Sequence, residues 1–475
     1  MKLFSRSRSH FRLTHSGWLR SGWLRLSALL LVLGAGLTRS HGHFTEPASL
    51  SGFWFGIGVM SSGFVLSWRL SVVPVVWFWG VAIVTRLLLL PMEPGDDLWR
   101  YIWEGQIQNL GFSPYHFAPN APELEPYRPI WWSQINHPDV TTIYPPLTQF
   151  GFRGLAALAP QPLLFKVGFV LADLMISGLL KQRWGAAQAI LYAWNPLIIY
   201  TFAGGAHYDS WFLLPLVAGW LWFERRPWQT AKPQLHESQL HESQLHESQL
   251  HESQLHELPA SLRWGGSALL IGISVAIKWV SLPILVFLVV RSLTQLKMRQ
   301  TVWIGLLGLL PFAWSVLPFC QLDHCPLIPT ESVFVSYGRS AEFIPDLVAR
   351  IWPLSLQANW IYAFPLALFT GWLLLRAPSL LAFIEWYWFG LLTLSPIVHA
   401  WYFSWLVPFA VPHQNWGVRL VSLSSFIYFV LPSRLPDWRL TTPERLLLWL
   451  PFVCGWFWTA WHMEHPTRPS QTDNT

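Results

Sequence analysis

Long apolar runs broken by short polar stretches dominate the chain. Residues 27–37, 53–68, 72–90, 163–180, 211–223, 304–317 and 446–461 are almost wholly apolar. Several approach the ~20 residues that carry an α-helix across a bilayer. The pattern predicts spans near 22–40, 51–69, 72–91, 161–180, 185–202 and 208–223. A hairpin follows between Arg263 and Arg291, with Lys278 near its outer tip. Further spans are expected near 301–319, 358–376, 380–397, 399–412, 418–433 and 445–461. The fold class is an all-α polytopic membrane protein, a bundle of about 12 transmembrane helices with 11 to 14 allowed.

The polar breaks divide the chain. Residues 1–91 form a basic N-terminus and three spans, and 92–148 an external loop. Spans four to six occupy 149–223, a cytoplasmic linker 224–262, and further spans 263–319. A second external loop covers 320–356, and 357–475 holds the last spans and a short tail. Within the linker, QLHES recurs from Gln234. A five-residue step turns a helix by ~500°, so successive histidines drift by ~140° and share no face. The tract reads as a tolerated linker rather than a metal or coiled-coil element.

Composition sharpens this picture. Only 12% of the 475 residues are charged, 52% are hydrophobic, and mean hydropathy is +0.34. Soluble domains carry roughly 25% charged residues, so a soluble protein is excluded. The 33 tryptophans suit helix ends at the headgroup level. Lys2, Arg6, Arg8, Arg12, Arg20 and Arg25 precede the first span with no acid among them, which assigns the N-terminus to the cytoplasm. A cleaved signal peptide is the weaker reading, because no small-residue cleavage site follows 26–37. The basic residues flank spans instead of forming a stripe, so no nucleic-acid partner is expected. Cys320 and Cys325 bracket a short loop that a disulfide would close in an oxidising compartment.

The chemistry concentrates where the third span ends, at Gly95-Asp96-Asp97-Leu98-Trp99-Arg100-Tyr101. Adjacent carboxylates beside hydrocarbon are costly and are kept there for function. A helix over 97–110 with Asp96 as its N-cap brings Asp97, Arg100, Tyr101 and Glu104 onto one face. Ile102, Trp103 and Ile107 would then lie on the membrane interface. The loop beyond supplies Tyr115, Asn136, His137, Tyr144 and Gln149. Aromatic faces with amide and imidazole edges suit a sugar. His207 and Asp209, Lys278, and His399 with Tyr402 fall on the same external side. The bland account of each is a capped helix end, a snorkelling lysine or a satisfied histidine. Arg339 and Arg350 read as surface charges, either of which could hold a phosphate.

The segments DDLWRYIWEGQIQNLGFSPYHFAP and INHPDVTTIYPPLTQ resemble the signature loop of bacterial polyprenyl-phosphate-sugar-dependent mannosyltransferases. These are integral-membrane glycosyltransferases of the GT-C superfamily. GGAHYDSW and SPIVHAWYFSWLVP resemble further parts of that pattern. The chain departs from it in three places. Asp96-Asp97 is adjacent where Asp-x-Asp is common, Ser113-Pro114-Tyr115 replaces Asn-Pro-Tyr, and His399-Ala400-Trp401-Tyr402 replaces His-Pro-Trp-Tyr.

The resemblance implies a GT-C-like bundle and transfer of a hexose, mannose first, from a polyprenyl-phosphate sugar. The acceptor would be a glycan or glycolipid hydroxyl, the transfer inverting, and Asp96 or Asp97 the catalytic acid group. It names no certain cofactor and leaves a divalent metal open. The expected location is a bacterial plasma membrane with an external active site. A transporter or flippase of lipid-linked sugars is the alternative, and it would carry internal half-repeats; none is visible. A scaffold would need no boundary carboxylate.

Overall fold

The computed structural model describes residues 10–224, 260–320, 325, 327 and 336–465. The first nine residues and the QLHES tract lie outside these. Every regular element among the described residues is helical. Five helices are long and apolar enough to cross a membrane by length and composition: Ser21–Thr38, Pro47–Ser67, Pro162–Trp184, Trp416–Arg434 and Thr442–Glu464. Five shorter apolar helices accompany them, at Val75–Leu89, Ser210–Phe223, Ser261–Ile277, Trp279–Gln295 and Leu380–Leu394. This is compatible with a membrane protein.

Local chemistry explains several boundaries. Pro47, Pro146 and Pro162 open their helices, where a missing N–H costs nothing. Gly185, at φ 81°, ends Pro162–Trp184. The apolar run at 185–202 is not one helix. Asn195-Pro196 breaks it into α-helices Ala186–Ala193 and Pro196–Ile199, and Tyr200–Gly204 winds as a wider π-turn. Likewise the run at 399–412 divides into a 3₁₀ stretch Ala400–Trp405 and a short helix Val407–Ala410.

Helix α1 (His10–Thr38) packs along α2 (Pro47–Ser67), and α3 (Val75–Leu89) joins α1. Helix α6 (Pro162–Trp184) lies beside α9 (Ser210–Phe223), which lies beside α10 (Ala260–Ile277). Helix α10 also meets α12 (Met298–Val316) so closely that a Cβ on Gly272 would overlap the Gly308 carbonyl. Small residues at such crossings let two backbones approach. Arg86 of α3 donates to Asp173 of α6 at 2.7 Å, both side chains wholly buried. A second Arg86 nitrogen donates to the Ala193 carbonyl at 2.7 Å, so the ion pair ties three elements. A disulfide joins Cys320 and Cys325.

Helix α4 runs Asp96–Asn109 with Gly95 at the cap position and no side-chain capping bond, so Asp96 is its first residue rather than its cap. Nor is the apolar face of α4 open at the surface, as an interfacial helix requires. Leu98, Ile102 and Tyr101 enter the main core, while Trp103 and Ile107 are buried with Leu124 and Ile135 in a separate small core. The proline-rich loop folds back over the apolar face that was expected to meet lipid.

Candidate active site

The site is built where the start of α4 meets the turn after the π-segment. The Gly95 N–H donates to the Gly205 carbonyl at 3.1 Å, and a Cβ on Gly95 would come within 3.2 Å of that oxygen. Glycine therefore permits the close approach. The π-turn and Ala206, at φ 62°, aim the following residue inward, and the His207 N–H donates to the Thr201 carbonyl at 3.0 Å. π-Bulges recur at functional sites because they redirect side chains without ending a helix.

These constraints bring His207 Nδ1 to 3.5 Å from Asp97 Oδ2. Asn136 donates to the other oxygen, Oδ1, at 2.8 Å. Burial pushes the Asp97 carboxyl upward, but hydrogen bonding and charge from His207, with the Asn136 contact, hold it below the ordinary carboxylate range. Burial and the neighbouring Asp97 charge raise the Asp96 carboxyl instead. Asp96 is exposed and Asp97 partly buried, so the pair reaches solvent while crowded by protein. Their environments push the two acids apart, a recurrent mark of functional carboxylates.

Asn136 is delivered by a chain of structural contacts. Arg100 Nε donates to Glu104 at 2.8 Å, and its other nitrogens donate to the carbonyls of His137 at 3.0 Å and Val140 at 2.7 Å. The Glu104 carboxylate also accepts from Thr142 at 2.8 Å and Gln149 at 2.5 Å. His137, at φ 44°, is exposed beside Asn136. Tyr115 donates to the Tyr144 carbonyl at 2.6 Å, and Tyr101 sits among Tyr144, Phe152 and Tyr208. Arg100, Glu104, Tyr115 and Gln149 thus use their polar groups to brace the loop over α4, and Tyr101 and Tyr144 contribute packed rings.

A stack of rings extends from Asp97. His207 lies on Trp401 at 3.8 Å and 16°, and His399 lies along Trp401 at 4.4 Å and 2°. His399 Nδ1 and the Tyr428 hydroxyl are 2.6 Å apart. Burial pushes the His399 imidazole down to about 3, against the pull of the Asp97 charge, so this ring is neutral near pH 7.

A second cluster adjoins the stack through Tyr402. Lys278 Nζ lies 2.6 Å from Asp209 Oδ1, which also accepts from Trp405 Nε1 at 2.7 Å. Four rings surround the ammonium, with centroids at 5.0 Å for Tyr208, 5.5 Å for Phe212, 5.3 Å for Tyr402 and 4.8 Å for Trp405. Such faces stabilise a cation. Beside it, α6, α9 and α10 border an apolar groove of about 910 Å³, lined by Met175, Leu179, Trp211, Leu214, Ile273 and Ile277. Lys278 directly follows the groove residue Ile277.

No family model, no curated protein and no solved structure matches this chain. Asp96, Asn136, His137, His207 and His399 lie close around Asp97, with Asp209, Lys278 and Tyr402 next to them. Among the described residues no group of three or more His, Cys, Asp and Glu side chains is arranged to hold a metal ion. Sequence reading passed over Trp401, Trp405 and Tyr428. The two tryptophans lie within the motif that holds His399 and Tyr402, and their spacing was the available signal. Tyr428 sits in an apolar run that marks nothing.

Proposed function

We propose that the chain is a membrane glycosyltransferase that moves a hexose from a polyprenyl-phosphate sugar to an acceptor hydroxyl. The observation that carries this reading is the partly exposed Asp97 carboxylate, set between Asn136 and His207, which hold it below the ordinary carboxylate range. Asp97 accepts the acceptor's hydroxyl proton while that oxygen bonds to the anomeric carbon. The bond from that carbon to the donor phosphate oxygen breaks, and the phosphate keeps the electron pair. Attack opposite the leaving group inverts the anomeric centre. The Lys278 ammonium offsets the charge that develops on the departing phosphate. The donor's polyprenyl tail lies in the apolar groove between α6, α9 and α10.

In this reading the ten apolar helices, together with Met298–Val316 and Ala363–Arg376, make a multi-pass bundle of about 12 crossings. The N-terminus is cytoplasmic and the Asp97 site external, in a bacterial plasma membrane. The test is purified protein in nanodiscs with radiolabelled polyprenyl-phosphate hexoses and oligosaccharide or glycolipid acceptors. Covalent label transfer supports the reading. Label that crosses sealed vesicles without changing its covalent attachment supports a flippase instead.

A further inference from the structure

The end of the bundle opposite the Asp97 site holds a cavity chemically distinct from the apolar groove. Helices α6 and α9 finish there and α10 begins. The cavity, of about 560 Å³, is lined by Arg183, Trp184, Phe223, Glu224, Arg263 and His413, among others. That volume lies within the usual range for small-molecule sites, ~300–1,000 Å³. Two guanidinium groups share the cavity with one carboxylate, so the wall is net positive with histidine neutral.

Among the described residues Arg183 and Arg263 form no ion pair, and each faces an aromatic ring. Arg183 lies 5.8 Å from the Trp184 ring and Arg263 5.7 Å from Phe223. The Arg263 Nε is buried with no hydrogen-bond partner. A buried donor left unsatisfied is costly, and its persistence points to an absent acceptor. The planar guanidinium fork matches a phosphate in geometry as well as charge.

The collar fixes the source of that phosphate. Trp184 and Phe223 sit at helix ends, and Leu262, beside Arg263, is 50% exposed. A basic pocket at the ends of apolar helices, walled by Trp184 and Phe223 with the exposed Leu262 next in sequence to Arg263, suits a headgroup whose chains continue along the bundle. We infer that this cavity binds the phosphodiester headgroup of an anionic phospholipid, at the end of the bundle opposite the Asp97 site. The inference does not depend on glycosyl transfer, since its test measures lipid binding alone.

The test is native mass spectrometry of the full-length protein in detergent with phosphatidylglycerol or phosphatidylcholine. Phosphatidylglycerol should be retained preferentially. Arg183→Gln with Arg263→Gln should weaken its binding about thirty-fold, at roughly five-fold for each cationic group, and the double lysine variant should keep most of it. Equal retention of the two lipids, or an unaffected double glutamine variant, overturns the proposal. So does displacement by millimolar inorganic phosphate, which would assign the site to a soluble anion. If the glutamine variant does not fold, photo-crosslinking of wild type with a diazirine phosphatidylglycerol decides. Crosslinks at the ends of α6, α9 and α10 support the site, and crosslinks confined elsewhere overturn it.

Discussion

Asp209 and Lys278 meet at 2.6 Å, with the acid 1% exposed and the base 16% exposed. The two lie on different sides of the QLHES linker in sequence, one at the start of α9 and the other at the end of α10. Each is costly alone: the carboxylate has lost water, and the ammonium sits in a ring-walled box. Removing one partner of a buried pair leaves an uncompensated charge, which costs about 3–5 kcal/mol. Lys278→Met should therefore lower the unfolding temperature markedly in detergent. Lys278→Met with Asp209→Asn should recover most of the loss, because no net charge remains buried. Thermal unfolding of the three proteins checks this.

Asp97→Asn keeps the shape of the side chain and removes the base. Turnover should fall by about 10²–10⁴-fold, while the variant still folds and its unfolding temperature drops only modestly, because the charge held by His207 and Asn136 is gone. Asp96→Asn should cost less than ten-fold on the same scale, since Asp96 lacks the His207 contact. Label-transfer rates measure both, and normal turnover of Asp97→Asn would remove the assignment.

Acid should destabilise the protein through His399. Its folded value, near 3, lies below the ordinary ~6.5. Between those values the unfolded chain binds the proton and the folded chain does not, so stability falls as pH drops from about 6.5 toward 3. Asp97, also lowered, adds loss in the same sense below its ordinary value. Asp96 is raised and opposes the trend above its ordinary value. His399→Gln should flatten the dependence of unfolding temperature on pH between 7 and 4, each an approximate bound set by the histidine's shift.

Glu104→Ala removes the acceptor shared by Arg100, Thr142 and Gln149. It strands a buried guanidinium and should cost about 3–5 kcal/mol. Because Arg100 also clamps the His137 and Val140 carbonyls, the loop should become protease-sensitive before the bundle does. Limited proteolysis with mapping of the first cleavage sites tests the order of events.

Gly272→Leu would wedge α10 from α12, where a Cβ already overlaps the Gly308 backbone. Overpacking of this kind costs about 1–3 kcal/mol. The unfolding temperature should drop, which thermal melting in detergent measures.

Hydropathy revealed the helical class and most of the long apolar helices, because burial in apolar surroundings is written directly into composition. It was blind to interruptions inside apolar runs. At 185–202 and 399–412 the backbone changes winding without any charge to mark the change, and only Pro196 hinted at the first break. The Asp96-Asp97 pair, His207, His399 and Lys278 were visible as polar residues in costly surroundings. Their division of labour was not. Arg100, Glu104 and Gln149 have the chemistry of ligand-binding groups, but the fold engages them on its own loop carbonyls and side chains. That depends on contacts up to 45 positions apart, which no local pattern encodes. The same fold-back concealed Trp103 and Ile107 from lipid.

The π-turn at Tyr200–Gly204 has an evolutionary corollary. Such a turn holds one surplus residue, and excising it would restore regular α-winding while rotating everything beyond by ~100° about the axis. His207 would then swing off Asp97 although neither residue had changed. Drift by single-residue deletion is therefore closed to this segment, whereas the polar linker after α9 has been free to accumulate five-residue duplications.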